Sequence, residues 1–399
     1  MNFRDFSEKM KSIQSILLEF IEDKSESEER YENLINCFIV QRINNDHYEF
    51  KGFLQLINHI FDNHKRCYNF ISKIEMLLRY FKKDIQKYFT NSEIFNIFKN
   101  NKRILLFLIE EKIMTIDEYI FSQIASDEFN DQKYFEYFLP EIKPFLTKEN
   151  IEKYGFKSQS LRNNGFVNEV IKKEIDEDFY EKRRKGENDG YLCELIRSDK
   201  IKEFITFVNQ TNLSLESYIK ESIFETNQFL IDEFNTKLNE NKGINLIEYA
   251  SFYGSFKIMQ FLIKKTEKID PKLWIYAVHG NNVKMIHFLE EHQIEYDSKI
   301  ILKETIKCHH NAISNYIICN LFKEEDLQND IENNYYDNLY QYALEYGNYY
   351  FFPENTLKCK NLFFYSCQFG YSVLVRDFLK EGNIDINATI KIINILNII

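Results

Sequence analysis

Apolar residues recur along the chain at intervals of three or four positions, which is the period of an amphipathic helix. The first such pattern is formed by Phe6, Met10, Ile13, Leu17 and Phe20. Later apolar clusters, separated by short polar stretches, predict helices at residues 34–40, 53–61, 70–81, 94–98 and 104–109. None of these clusters approaches the ~20 apolar residues that span a bilayer, so we expect no transmembrane helix.

The scarcity of turn residues narrows the fold class. Among 399 residues there are only 11 Gly and 4 Pro, against 37 Phe and 26 Tyr. Many-stranded sandwiches and barrels need Gly and Pro in their tight turns, so the shortage argues against them. The sequence contains neither a glycine-rich dinucleotide-binding motif nor a phosphate-binding P-loop. With a hydrophobic fraction of 44%, these features predict an ordered, all-α protein.

A short motif with the pattern N-L-x-x-Y-[AS]-x-x-[FY]-G recurs at residues 245–254, 338–347 and 361–370, and a looser copy spans residues 273–281. The signature residues are Asn245, Ala250, Gly254, Ala277, Asn338, Ala343, Gly347, Asn361, Ser366 and Gly370. Three of the six Ala and three of the 11 Gly therefore occupy two motif positions. In a chain so poor in both residues, this placement indicates an internal structural repeat.

The chemistry of the motif predicts a helix with a defined start and end. Asn is a strong N-cap, and Asn245 is followed by Glu248 at the spacing of a capping box. Asn338 and Gln341 repeat that spacing, whereas the third copy has Phe364 there. The closing Gly can adopt the left-handed conformation that ends a helix. Because a second apolar pattern follows each copy, each is predicted to be a short helix, a turn and a longer helix.

The patterns divide the chain into four segments. We predict an irregular N-terminal helical region at residues 1–165, followed by a charged linker or exposed helix at residues 166–190. A degenerate repeat domain is expected at residues 191–325, and further repeats at residues 326–399, the last of them incomplete. Pro353 and the close spacing of the last two motif copies predict a shortened second helix between them.

The motif resembles the T-P-L-H-x-A-x-x-x-G signature that opens an ankyrin repeat. Residues 245–248 (NLIE) stand where T-P-L-H would, with Ala250 and Gly254 at the Ala and Gly positions. The Pro and His of that signature are absent here. Residues 70–320 are also similar to a large protozoan, trichomonad-type family, in which an uncharacterised helical domain precedes degenerate ankyrin repeats. The matching stretches include IEYASFYGSFKI and LWIYAVHGNN.

This resemblance implies a helix-pair solenoid of degenerate ankyrin-like repeats, preceded by an irregular helical N-terminal region. It further implies a non-enzymatic scaffold or adaptor that binds a protein partner through the solenoid surface, as a monomer and without a cofactor. In ankyrin repeats the residues just before the Gly vary and contact partners. The corresponding residues here are Phe252, Tyr253, His279, Glu345, Tyr346, Gln368 and Phe369.

Two alternatives to this interpretation stay open. Aromatic residues recur at one motif position, in Tyr253, Tyr346 and Phe369, and such recurrence also indicates packing between repeats. The apolar tail stops within a repeat, where a solenoid needs a polar cap. The chain is therefore alternatively a truncated, non-functional copy of its family.

The net charge, a basic run and the N-terminal sequence indicate which partners and which cellular compartment to expect. The net charge of −11 argues against a general nucleic-acid binder, which must present a basic face to phosphates. Residues 182–185 (KRRK) form a basic run, which is either a solvated helix face or the signal of a nuclear or nucleic-acid-associated adaptor. The N-terminal sequence lacks the apolar core of a signal peptide, so we expect a cytoplasmic protein, with the nucleus as the alternative.

Reactive side chains offer little evidence of chemistry. Cys308, His309 and His310 are adjacent, but neighbours on a helix point about 100° apart and rarely ligate one ion together. The sequence contains no hydrolase, metalloprotease or kinase motif. We therefore expect no metal site, no small-molecule substrate and no enzymatic activity.

Overall fold

The computed structural model describes residues 2–25, 28–64, 67, 69–125, 132–147, 149–150, 175–238, 243–266, 269–321, 335–353 and 361–381. Within these ranges the chain is helical and forms no strand, which confirms the all-α class. An isolated antiparallel bridge joins Tyr218 and Asn245. None of the helices in these ranges has both the length and the apolar character needed to cross a bilayer. The predicted incomplete final repeat continues at residues 382–399, outside the described ranges.

The described helices are mostly short. Residues 2–150 form α1 (Phe3–Glu22), α2 (Glu28–Gln41), α3 (His47–Asn63), α4 (Phe70–Tyr80), α5 (Lys82–Tyr88), α6 (Asn91–Phe98), α7 (Lys102–Glu110), α8 (Glu118–Ile124), α9 (Gln132–Tyr137) and α10 (Leu139–Ile142). Residues 175–381 form α11 (Glu177–Lys185), α12 (Tyr191–Arg197), α13 (Ile201–Thr211), α14 (Gln228–Leu238), α15 (Leu246–Tyr253), α16 (Phe256–Ile263), α17 (Leu273–His279), α18 (Val283–Glu291), α19 (Ser298–Lys307), α20 (Asn311–Asn320), α21 (Tyr335–Tyr346), α22 (Asn361–Gln368) and α23 (Ser372–Glu381). The described 3-10 turns are Ile43–Asn45, Lys143–Phe145 and Tyr349–Phe351.

Most helices from α12 onward come in pairs, and each connecting turn contains one residue in the left-handed region. These residues are Asp199, Gly254, Asn281, His309, Gly347 and Gly370, with φ between 46° and 76°. In the turns whose left-handed residue is Gly, the residue after it donates its backbone N–H to a carbonyl five positions earlier. The bonds run from Ser255 to Ala250 (2.8 Å), from Asn348 to Ala343 (2.9 Å) and from Tyr371 to Ser366 (2.8 Å). This is the Schellman C-cap, so the small residue and the Gly of the motif together end the first helix of each pair.

The small residues of the motif also face the core. Ala250, Ala277, Ala343 and Ser366 are each 0% exposed. A larger side chain at this position would meet a packed neighbour, because protein interiors are close-packed. This burial explains why the few Ala of the chain are concentrated here.

One of the two predicted capping boxes is present. Glu248 donates its backbone N–H to Asn245 Oδ1 over 2.9 Å, and Asn245 donates its own N–H to Glu248 Oε2 over 2.9 Å. The box predicted at Asn338 is wrong, because α21 already includes Tyr335 and Asn338 lies inside the helix. In the third copy α22 begins at Asn361 itself.

The contacts divide the chain into two compact units. The central unit comprises Ile71–Tyr276, and the terminal unit combines Met1–Phe70 with Ala277–Ile399. These units follow contacts in space, whereas the segment boundaries in the sequence analysis follow patterns along the chain. Those boundaries stay predictions.

Within the terminal unit, α1 packs against the residues that follow the second motif copy. After Gly347 the described residues form the 3-10 turn Tyr349–Phe351, and the shortening of the second helix that Pro353 predicts also concerns residues 354–360, which lie outside the described ranges. The backbone N–H of Phe3 donates to Asp377 Oδ2 on α23 over 2.6 Å. The ring of Phe3 also stacks on that of Phe352, with centroids 5.8 Å apart. The N-terminal helix therefore packs against the residues that follow Gly347 and against α23.

Candidate binding cleft in the terminal unit

The seven predicted contact residues lie in different environments. Two are buried, four are half-buried and one is exposed. The buried residues are Phe252 and His279, the half-buried residues are Tyr253, Glu345, Tyr346 and Phe369, and the exposed residue is Gln368. The last five leave surface that a partner could contact, so contact through them stays a prediction.

The two buried residues belong to the core. Phe252 is 1% exposed and stacks on Phe229, with ring centroids 5.7 Å apart. His279 is 0% exposed, and its Nε2 lies 2.9 Å from Glu304 Oε2. Because packing and hydrogen bonding occupy both side chains, we correct the prediction of partner contact at Phe252 and His279.

The recurring aromatic residues combine packing with accessibility. The ring of Tyr253 lies 4.8 Å from that of Tyr249, within the same helix. The ammonium of Lys303 lies 5.9 Å from the ring of Tyr346. Tyr253 and Tyr346 are both half-buried. Their rings contact neighbouring side chains, and each residue also keeps some surface that a partner could contact.

A cleft of about 320 Å³ lies beside the last two motif copies in the terminal unit. One wall is a face of α3, which contributes Tyr48, Lys51, Gln55 and His59. The opposite wall comes from the turns of the last two helix pairs and contributes Glu345, Gly347, Phe369, Gly370 and Ser372. Two predicted contact residues, Glu345 and Phe369, thus lie on one cleft.

The N-cap and the apolar face of α3 determine which side of the helix lines the cleft. Asp46 caps the helix by accepting the backbone N–H groups of Tyr48 and Glu49 over 2.9 and 3.0 Å. The apolar face is buried through Phe50, Phe53, Leu54, Ile57, Ile60 and Phe61. The opposite face, which carries the polar residues, is therefore directed at the cleft.

Three polar side chains of α3 line the cleft and have no polar partner among the described residues. Lys51, Gln55 and His59 are spaced four residues apart and so share one helical face. Within the described part of the chain, none of the three side chains forms a hydrogen bond or an ion pair. Burial, with a smaller contribution from the charge of Lys307, lowers the pKa of His59 to about 4. The imidazole is therefore neutral at pH 7, with one donor and one acceptor nitrogen.

The turns on the opposite wall expose backbone to the cleft. Gly347 and Gly370 have φ of +60° and +76°, a conformation that L side chains rarely adopt. The hydroxyl of Tyr371 donates to the carbonyl of Leu344 over 3.0 Å and ties the two turns together. This wall is thus fixed by hydrogen bonds, and Phe369 supplies apolar surface to it.

A second group of reactive side chains lies in the core of the terminal unit and includes two residues singled out in the sequence, Cys308 and His279. Cys308 Sγ lies 3.3 Å from His279 Nδ1, and His279 Nε2 lies 2.9 Å from Glu304 Oε2. Burial alone would favour the neutral acid, but hydrogen bonds from His279 and Lys307 hold the pKa of Glu304 at about 2. Cys308, His279 and Glu304 are therefore arranged like the nucleophile, the base and the orienting carboxylate of a catalytic triad. However, Cys308 and His279 are both 0% exposed, so a substrate cannot reach the thiol in this conformation.

The sequence gives no signal that joins this group, because His279 lies on α17, whereas Glu304 and Cys308 lie at the end of α19 at no recognised spacing from it. In the described ranges, His, Cys, Asp and Glu side chains do not assemble into a group of three that could hold a metal ion. Cys308 and His279 are buried and hydrogen-bonded within the core.

The basic run at residues 182–185 is engaged within the central unit. Arg183 is 1% exposed and forms two bonds to the carboxylate of Glu141, at 2.7 and 2.9 Å. Lys182 pairs with Asp178 over 2.8 Å and with Asp189 over 3.1 Å. The run therefore lies on a packed helix with one buried face, and Arg183 is not available to an import receptor or to phosphates.

No family model matches the chain, and no curated protein or solved structure resembles it significantly. The resemblance to ankyrin repeats therefore rests on the sequence motif alone. The helix pairs and their left-handed turns are features of this chain's own structure.

Proposed function

We propose that this chain is a non-enzymatic adaptor that binds a protein partner through the surface of degenerate ankyrin-like repeats. The observation that supports this most is the cleft of about 320 Å³, where Glu345 and Phe369 face three α3 side chains, Lys51, Gln55 and His59, that form no hydrogen bond or ion pair within the described residues. Interaction sites commonly combine apolar surface with a few convergent polar groups. The cleft has both.

Hydrogen bonds between neighbouring helix pairs support the repeat interpretation. In each case the residue after the motif Gly donates to a carbonyl near the end of the preceding pair's first helix. These bonds are Ser255 Oγ to Ile196 O (2.5 Å), Asn348 Nδ2 to Ile306 O (3.0 Å) and Tyr371 Oη to Leu344 O (3.0 Å). They tie adjacent pairs together although the Pro and His of the ankyrin signature are absent. Repeats that contact their neighbours in this way form extended binding surfaces.

The same proposal includes a cytoplasmic monomer. The described cysteines are free thiols, which fits a reducing compartment. The alternative of a nuclear or nucleic-acid-associated adaptor is not favoured, because Arg183 of the basic run is buried.

Affinity capture with matched baits tests the adaptor role. The full-length chain is compared with a cleft variant, Phe369→Ser, in extracts of the cells that make the protein. Leu379→Ser is the control, because Leu379 is 47% exposed but does not line the cleft. We expect wild type and control to capture the same protein, and the cleft variant to capture at least about tenfold less.

Two results would contradict the adaptor role. One is that the wild-type chain captures nothing above background. The other is that the cleft variant captures the same protein as efficiently as wild type, with circular dichroism showing that both are folded.

A further inference from the structure

We propose that the cleft binds an extended, acidic peptide segment of the partner, with a carboxylate on Lys51 and peptide groups on Gln55 and His59. The inference rests on the proposed adaptor function and specifies the chemistry of its partner. It follows from the charge, the spacing and the hydrogen-bonding capacity of the cleft.

The charge of the cleft favours an acidic ligand. Glu345, which lines the cleft, lies 3.9 Å from Lys303, so its negative charge is offset. Lys51 is exposed and forms no ion pair within the described part of the chain. The uncompensated charge on the cleft wall is therefore positive, although the whole chain carries −11. Complementary charge of this kind selects partners and accelerates their encounter.

The spacing of the polar groups favours an extended chain. Lys51 and His59 are eight residues apart, and a helix rises about 1.5 Å per residue, so their Cα atoms are about 12 Å apart. An extended peptide advances about 3.3 Å per residue, so about four residues cover this distance. Three anchor points in a row therefore match a short linear segment.

The chemistry of the two neutral anchors favours peptide groups. The Gln55 amide can donate to a carbonyl and accept from an N–H, and the neutral His59 imidazole can do the same. Half-buried Phe369 on the opposite wall offers apolar contact to a neighbouring side chain of the ligand. Lys51 then distinguishes acidic segments from neutral ones.

A peptide library on the full-length chain tests this inference. Immobilised nine-residue peptides carry Glu, Gln or Lys at the centre and random residues elsewhere, and binding of the fluorescently labelled chain is measured. The strongest peptide of each set is then titrated by fluorescence anisotropy. The variants are Lys51→Glu and the control Lys284→Glu, which reverses an exposed charge on α18 outside the cleft.

We expect wild type and Lys284→Glu to bind Glu-centred peptides at least about tenfold more tightly than Lys-centred ones. Lys51→Glu should lose or reverse that preference. Because Lys51 is exposed, the variant should keep the circular dichroism spectrum of wild type.

The inference is overturned if wild type shows no preference for Glu, or if the preference persists in Lys51→Glu. Such a result leaves the adaptor role separately testable, because the capture experiment depends on the apolar contact of Phe369 and uses no acidic probe. If Phe369→Ser loses capture but wild type shows no preference among the library peptides, the chain is an adaptor whose partner has another chemistry.

Discussion

Gly370 shows what a single residue contributes to the repeat. Its φ is +76°, and a Cβ at this position would meet no heavy atom within 4 Å. A substitution there therefore tests the backbone conformation alone, free of steric overlap. Asn281 and His309 occupy the equivalent turns with positive φ, which shows that the turn itself, and not the Gly, is the constant feature.

We predict that Gly370→Ala lowers the free energy of unfolding by about 1 kcal/mol, because an L side chain disfavours the left-handed region. Gly370→Asn should lose less, since Asn tolerates that region better. Urea titration of the three proteins measures the difference. An Ala variant as stable as wild type would show that this turn does not need a left-handed residue.

His309 links stability to pH. It is 1% exposed, and its ring contacts Gln14 Nε2 over 3.1 Å and the carbonyl of Tyr346 over 3.0 Å. Burial, with a smaller contribution from the charge of His59, lowers the pKa of His309 to about 3. The folded chain therefore binds fewer protons than the unfolded chain below pH ~6.5, and stability falls as the pH falls.

We predict that this group alone removes about 2 kcal/mol of stability between pH 6.5 and 5. His309→Asn, which keeps a residue suited to the left-handed turn, should be less stable at pH 7 but lose less on acidification. His287→Asn is the control, because His287 has a 50% exposed side chain. Unfolding free energies at pH 7 and pH 5 provide the comparison, and equal pH dependence in wild type and His309→Asn would refute the assignment.

At the scale of elements, α1 depends on one buried amide. Gln14 is 1% exposed, donates to Asn348 Oδ1 over 2.7 Å and accepts the backbone N–H of Tyr349 over 2.8 Å. It thereby satisfies polar groups beside the Tyr349–Phe351 turn. A buried polar group that loses its hydrogen-bond partner stays removed from water without compensation, which destabilises the fold by about 1–3 kcal/mol for each group.

We predict that Gln14→Leu lowers the free energy of unfolding by about 2–4 kcal/mol, because it leaves the Asn348 and Tyr349 groups without their partner. Gln55→Leu is the matched control: it is the same change at an exposed site on α3, and it should change stability by less than about 0.5 kcal/mol. Urea denaturation of both variants measures this. Equal losses would show that the Gln14 network contributes nothing beyond general sensitivity to the substitution.

The helix pairs could be predicted from sequence because their signals are local. The Asn245 cap, the small residue and the closing Gly all lie within one helix and its turn. The cap predicted at Asn338 failed because the motif does not record that α21 starts earlier. The cleft could not be predicted, since a polar face of α3 looks like any solvated helix face until the fold places it against turns some 300 residues away.

At the scale of the whole molecule, the terminal unit joins the two ends of the chain. Phe3 and Phe6 on α1 are 2% and 1% exposed, and Phe6 packs edge-on against Tyr349 at 5.8 Å. The last described repeats thus depend on residues more than 300 positions away in sequence. Such long-range packing leaves no trace in local patterns.

We predict that Phe3→Ala with Phe6→Ala destabilises the Tyr349–Phe351 turn and α23 as well as α1, because each truncation of a buried Phe costs about 3–5 kcal/mol. Hydrogen exchange with mass spectrometry should show faster exchange in α23 and in the Tyr349–Phe351 turn. Val40→Ala is the control, because Val40 of α2 is 76% exposed. Loss of protection confined to α1 would show that the repeats do not depend on it.

The central claim is that the cleft between α3 and the last two motif turns is the binding surface for a protein partner. Hydrogen exchange of the full-length chain, measured with and without the captured partner, tests it most directly. We predict slower exchange on binding at residues 47–59 and in the turns around Gly347 and Gly370. Protection confined to other helices, such as α12 to α16, or no change on binding, would contradict the claim.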